Sequence, residues 1–143
     1  LGSSLEQTRE LLEGDRNFNY RGAPDVSLRP FDQERSIESE GRGFMERGAF
    51  LFAEDALYII TLFVDRERLD YFTLYRTLSS KYGEPDSLSP QSAIWENEET
   101  RLVLERPLTL KYIDRPTFQA QVDEGAMEES VRTLARNNFL EQF

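Results

Sequence analysis

The carboxylates are the only chemically useful side chains that are both abundant and clustered here, because the chain has no histidine and no cysteine. Without imidazole there is no ordinary general base near neutral pH and no usual transition-metal ligand. Serine–histidine and cysteine–histidine nucleophile chemistry is excluded. Thiolate and imidazole zinc sites are excluded with it. What is left is carboxylate, Lys or Tyr chemistry, or a metal held by oxygen.

Two acidic clusters come into question. Glu96-Asn97-Glu98-Glu99 offers oxygens to a hard cation such as Ca²⁺. It lacks the Asp-x-Asp-x-Asp-Gly spacing of an EF-hand loop, and a solvated hairpin tip is the plainer reading. Glu54-Asp55 with Glu96 would supply two carboxyls for glycoside hydrolysis, provided they face each other and one is dry. Hairpin tips are normally wet, so no catalytic residue is assigned.

Three other features weigh the same way. Trp95, the only tryptophan, could be a ligand platform; a strand tryptophan is more often packing. Lys81-Tyr82-Gly83-Glu84-Pro85-Asp86 is accounted for by a helix stop, with Lys81 suiting the helix dipole. Arg21, Arg29, Arg42, Arg47, Arg101, Arg106 and Arg115 could gather around an anion. Scattered surface pairing is the expectation. No cofactor-binding or metal-binding residue is assigned.

Acidic residues outnumber basic ones 27 to 17, for a net charge of −10. That repels nucleic-acid phosphate and anionic membrane surfaces. Solubility explains the excess; a basic partner or a cation is the sharper reading. No apolar run reaches the roughly 20 residues of a membrane span. The start at Leu1-Gly2-Ser3-Ser4 is expected of a processed or truncated chain, after a signal segment or as a tag remnant. The absence of Cys leaves the redox compartment open.

The elements that would position these residues are legible in outline. Ser4 and Gln7 fit a capping box for a helix with Leu5, Thr8, Leu11 and Leu12 on one face and Gly14 as its stop. Residues 15–31 read as irregular chain, then a strand Val26–Arg29 ended by Pro30. Asp32 to Gly43 reads as an exposed connector or a frayed hairpin arm. Ala49–Ala53 and Leu57–Val64 form a hairpin turning at Glu54-Asp55-Ala56. The second strand, apolar on both faces, is expected at the centre of the sheet, covered on both sides.

Helix 2 is expected from Arg66 to Tyr82, capped by Asp65, with a stripe of Leu69, Phe72, Tyr75 (or Leu74), Leu78 and Tyr82. Ser92–Trp95 and Arg101–Glu105 form a second hairpin, and Leu108–Ile113 a further strand. Phe118–Val122 reads as a short edge piece. A last helix begins near Asp123, with Met127, Val131, Leu134 and Asn138 on one face and Phe139, Leu140 and Phe143 at its end. Residues 125–143 are therefore expected to dock on the open face of the sheet or on a second copy, making a homodimer.

A helix, then Gly, then Pro-Asp, then paired strands occurs twice, at Leu5–Val64 and Leu69–Leu104. The prediction is a single α+β domain over 1–143, an antiparallel sheet with about three helices in two similar helix–hairpin halves.

The run Gly2-Ser3-Ser4-Leu5-Glu6-Gln7-Thr8-Arg9-Glu10-Leu11-Leu12-Glu13-Gly14 resembles the opening helix of small bacterial outer-membrane lipoproteins of the barrel-assembly-machine small-component type. In that family a Gly-x-Ser/Thr-x-x-Gln helix precedes Gly-x-Pro and a three-stranded sheet. Here Thr8 replaces an aliphatic residue, and Pro24 comes later than the pattern puts it. Lys81–Trp95 and Leu108–Asp114 also resemble uncharacterised bacterial envelope proteins. The resemblance implies a non-catalytic envelope domain for protein binding or scaffolding. It would sit in the periplasm or outer envelope, lipid-anchored through a preceding segment, with a protein partner, no nucleic acid and no transmembrane segment. The alternative is an acidic cytosolic binding protein, of immunity-protein or chaperone type, for a basic partner. A carboxylate enzyme or a sugar-binding module is the third class.

Overall fold

Each half of the chain folds as a helix followed by an antiparallel meander, and the halves join through their last strands. A computed structural model describes the backbone of residues 1–20, 26–28 and 34–141. Side chains are described over the same ranges except 26–28, 34, 126–135, 137 and 138. The first half contains α1 (Leu5–Gly14), β1 (Phe18–Asn19), β2 (Val26–Leu28), β3 (Glu34–Gly41), β4 (Met45–Ala53) and β5 (Ala56–Val64). The second contains α2 (Tyr71–Tyr82), β6 (Ser87–Leu88), β7 (Ser92–Glu96), β8 (Thr100–Glu105) and β9 (Thr109–Asp114), followed by α3 (Arg115–Leu140).

Among the described residues the strands form one antiparallel sheet in the order β1-β3-β4-β5-β9-β8-β7-β6. β2 pairs with β3 along the same outer edge as β1. The seam is β5 against β9, from Ile59↔Ile113 to Phe63↔Thr109. The α+β class and the central place of the Leu57–Val64 strand are as the sequence predicts.

Residues opposite each other in an antiparallel pair share a face. The register therefore sorts the sheet into ranks. One runs Ile37–Phe50–Ile60–Tyr112–Leu102–Trp95, and the next Ser39–Gly48–Leu62–Leu110–Leu104–Ala93. Both helices cover this face. α1 lays Leu5 and Leu12 against Ile37, Phe50 and Phe52. α2 lays Leu78, Leu74 and Tyr75 against Ala93, Trp95, Leu102 and Leu104. Leu62 touches both clusters and makes the core continuous across the seam. Gly48 is required where it stands, since a Cβ there would lie 2.6 Å from the Phe18 ring. That ring packs edge-on to Phe50 at 5.7 Å.

α1 opens on the predicted capping box: Ser4 Oγ accepts from the Gln7 N–H, and Gln7 Oε1 accepts from the Ser4 N–H. The β4–β5 turn places Glu54 and Asp55 at φ of 49° and 60°, as a two-residue hairpin of that twist requires. Asp55 Oδ1 accepts from the Leu5 N–H at 3.1 Å and ties this turn to the start of α1.

The structure corrects several expectations. Of the two readings of this stretch the hairpin arm holds and the connector does not: residues 34–41 form strand β3, paired along its length with β4. A single apolar residue, Ile37, is enough to anchor it, because that side chain is fully buried while Glu38 and Glu40 stay exposed. Leu11 lies off the buried face of α1 and is 67% exposed. α2 starts at Tyr71, not Arg66. Asp70 is its cap, accepting from the Thr73 N–H at 2.7 Å, and Asp65 instead closes a turn by accepting from the Glu67 N–H. Phe118–Val122 is helical, because α3 begins at Arg115. There the Thr117 hydroxyl donates to Asp114, and Pro116 occupies the first turn, where a missing N–H costs nothing. The short strands β1 and β6 have no sequence signal. Pro30, Asp32 and Phe143 lie outside the described residues. So do the side chains of Met127, Val131, Leu134 and Asn138, on which docking of the last helix was argued.

Candidate functional site: the open face of the sheet

With α1 and α2 on one face, the chemistry of the other face is set by the alternate residues of each strand. Its ranks are Ser36–Leu51–Ile59–Ile113–Arg101–Glu96 and Ala49–Thr61–Lys111–Val103–Ile94, with Arg47–Phe63–Thr109–Glu105 beyond. Ile113 and Val103 are buried among their neighbours. Leu51, Ile59, Phe63 and Ile94 are only half-buried. Ile60 and Leu62 on the helix side are likewise only partly buried, so the expectation that the central strand is covered on both sides is met in part on each.

Several cationic side chains on this face are engaged by neighbours. The Arg47 guanidinium lies 3.9 Å from the centroid of the Phe63 ring. Lys111 Nζ is 3.3 Å from Glu105 Oε1. Arg101 Nε donates to Glu96 Oε2 at 2.6 Å, and Arg115 Nε is 3.9 Å from the same oxygen. Each pair is about a third exposed, so each contributes at most about 1 kcal/mol. Lys111 stands inside the face, between Thr61 and Val103, so the half-buried apolar residues alternate with charged and polar ones.

Arg115 fixes one end of this face. Its backbone N–H donates to Glu99 O at 2.8 Å and its guanidinium donates to Asn97 O. The β7–β8 turn is thereby fastened to the start of α3. The turn is further closed by Asn97 Oδ1, which accepts from the N–H groups of Glu99 and Thr100.

The residues singled out from the sequence fall as follows. Glu96 is engaged by Arg101 and Arg115, and Asn97 by its own turn. Among the described residues no three metal-ligating side chains gather. Glu54-Asp55 and Glu96 sit at the same end of the sheet, but the strand order places three strand spacings between β5 and β7, about 14 Å. That is too far for two carboxyls acting across one glycosidic bond. The arginines do not converge on one pocket: Arg42 bonds Asn19, Arg47 covers Phe63, and Arg106 lies over the Tyr71 ring. Arg101 and Arg115 alone come together; Arg21 and Arg29 lie outside the described residues.

Trp95 is packing, as expected. It is 5% exposed, its Nε1–H donates to Gly83 O at 2.8 Å, and Tyr75 lies 6.0 Å away. Asp86 is held beside it, accepting from the Glu96 N–H at 2.8 Å. The Lys81–Asp86 segment therefore locks the end of α2 onto β7. Burial raises the Tyr112 hydroxyl above its ordinary pKa. The nearby Tyr82 adds to that and Lys81 opposes it. Tyr71 is raised likewise by burial, with Arg106 pulling it down.

Sequence reasoning named an open face of the sheet as a dock for the last helix but could not say which residues form it. It missed the role of Arg115 because only the fold brings that residue to the β7–β8 turn.

No helix among the described residues is long and apolar enough to cross a membrane. No curated protein and no solved structure matches the chain. Nothing in the comparisons ties it to barrel-assembly lipoproteins. A family model described as the TP0088 domain matches residues 1–124, and the chain belongs to that family.

Proposed function

We propose that this chain is a non-catalytic protein-binding domain of the bacterial envelope, and that the open face of the sheet receives its partner. The observation that supports this reading is the half-buried apolar patch of Leu51, Ile59, Phe63 and Ile94 on the central and second-half strands. Apolar surface left in water is worth about 25 cal/mol per Å² when a partner covers it. Charges of both signs stand among and beside these residues, so the partner surface it suits has apolar contacts interspersed with charges of both signs. Placement in the periplasm or outer envelope rests on the likeness of Gly2–Gly14 to small outer-membrane lipoproteins.

A photo-crosslinker at Ile59 or Phe63, installed in the source cell, is expected to trap one discrete adduct. The same group at Leu11 on α1 is expected to trap none. Equal adducts at all three positions, or none anywhere, would overturn the reading. So would robust turnover in a hydrolase screen that a single carboxylate substitution abolishes.

A second reading is favoured by the net charge of −10: an acidic binder of a basic partner. Its association should speed up as salt is lowered, whereas an apolar face gives a weak salt dependence.

A further inference from the structure

On the helix side of the sheet, at its α2 end, a cleft of about 290 Å³ opens between Tyr82, Asp86, Trp95, Leu102 and Tyr112. Its volume is near the small end of ligand sites. Trp95 and Tyr112 stand in one rank of the sheet, on either side of Leu102, and Tyr82 comes from the last turn of α2. The indole is held in place by its bond to Gly83 O. Trp95 is 5% exposed and packs against Tyr75, so it closes the floor of the cleft; the ring surface open to a guest is that of Tyr82, 48% exposed, with part of Tyr112.

We propose that this cleft binds an alkylammonium group, with a quaternary ammonium favoured over a primary amine. This goes beyond the protein-binding reading and stands independently of it.

Four observations converge on a cation. Aromatic faces attract cations through their quadrupoles, and the rings of Tyr82 and Tyr112 line the cleft. Asp86 lines the cleft and carries its carboxylate charge there, held by the Glu96 N–H through Oδ2. α2 ends beside the cleft at Tyr82, and the C-terminal pole of a helix is negative. The whole chain carries −10. The apolar walls of Leu102 and the rings then select a weakly hydrated cation, since desolvating a compact ammonium costs far more. The Lys81 ammonium already lies 5.3 Å from the Tyr82 ring centroid, so the ring is placed to receive a cation. Lys81 is also a like charge at the rim, and Lys81→Met is expected to tighten binding.

The test is a titration of the whole chain with choline, read by the fluorescence of its single tryptophan and by calorimetry. A saturable response is expected, at least tenfold weaker for the neutral isostere 3,3-dimethylbutanol. Asp86→Asn and Tyr82→Ala should each weaken choline roughly three- to tenfold. Asn retains an oxygen for the Glu96 N–H and Tyr82 is 48% exposed, so both variants should melt as the parent does. Phosphatidylcholine vesicles form the second arm. Co-sedimentation that choline competes away assigns a lipid headgroup as the source, and a choline response without co-sedimentation assigns a free ligand. The proposal is overturned if choline gives no saturable signal, if the neutral isostere does as well, or if both folded variants bind choline like the parent.

Discussion

The indole N–H of Trp95 donates to the carbonyl of Gly83 at 2.8 Å, so the last residue of the α2 cap hangs from the middle of a strand. Trp95→Phe keeps most of the ring and removes the donor. It leaves a carbonyl without its partner and should cost about 1–3 kcal/mol. Gly83 itself has φ of 85°, so Gly83→Ala should cost about 1 kcal/mol through backbone strain alone. Urea denaturation of the two variants checks both values, and a cost near zero for Trp95→Phe would mean that the bond does not hold the cap.

Asp70 makes the stability of α2 depend on pH. Its pKa is lowered, first by the Thr73 side chain and then by the Thr73 backbone N–H. A depressed carboxyl contributes stability above its unfolded pKa, and that contribution is lost as pH falls through the folded value. The gap in melting temperature between the parent and Asp70→Ala should therefore be widest near neutral pH and close below about pH 4, where an unperturbed Asp protonates. A gap that stays constant down to pH 2 refutes the capping role.

Ile37 and Glu38 test strand β3. Ile37 is fully buried and Glu38 is exposed. Ile37→Ala should cost about 2–5 kcal/mol. Glu38→Ala should stay within about 0.5 kcal/mol. Comparable small effects at both sites would return residues 34–41 to the status of a loose connector.

The end of α3 carries Phe139 and Leu140, 57% and 58% exposed. We expect this end to seat against a second copy. A chain ending at Glu124 should then scatter light as one copy where the full chain scatters as two, or melt at a lower temperature. Identical mass and melting temperature would make residues 125–143 a tail without a docking role.

What the sequence disclosed follows from how local each signal is. Ser4 with Gln7, the positive-φ Gly83 and the apolar run Leu57–Val64 each state their structure within a few residues, and each is found as read. β3 was hidden because one isoleucine among charges carries no periodic signal; its strand character comes from β4 alongside. The start of α2 shifted because Asp65 and Asp70 are both able to cap, and only packing of Leu74 and Leu78 on the sheet chooses between them. The open face could not be located from sequence, since nothing local says on which side of β5 the helices lie. The aromatic cleft needed Tyr82, Trp95 and Tyr112 to be brought together by the register of β7, β8 and β9.

The seam between β5 and β9 has a consequence for assembly of the chain itself. The hairpins β3–β4, β4–β5, β6–β7, β7–β8 and β8–β9 all join neighbours in sequence, while Ile59↔Ile113 spans more than a third of the chain. Loop closure across that separation is the slow entropic step, and the local meanders need not wait for it. Each half would thus zip independently and then dock edge to edge. A break in the turn between Asp65 and Asp70 would leave two fragments, each with one raw strand edge whose natural complement is the other. The polypeptide is in this sense a covalent heterodimer, and its severed halves should find one another in solution.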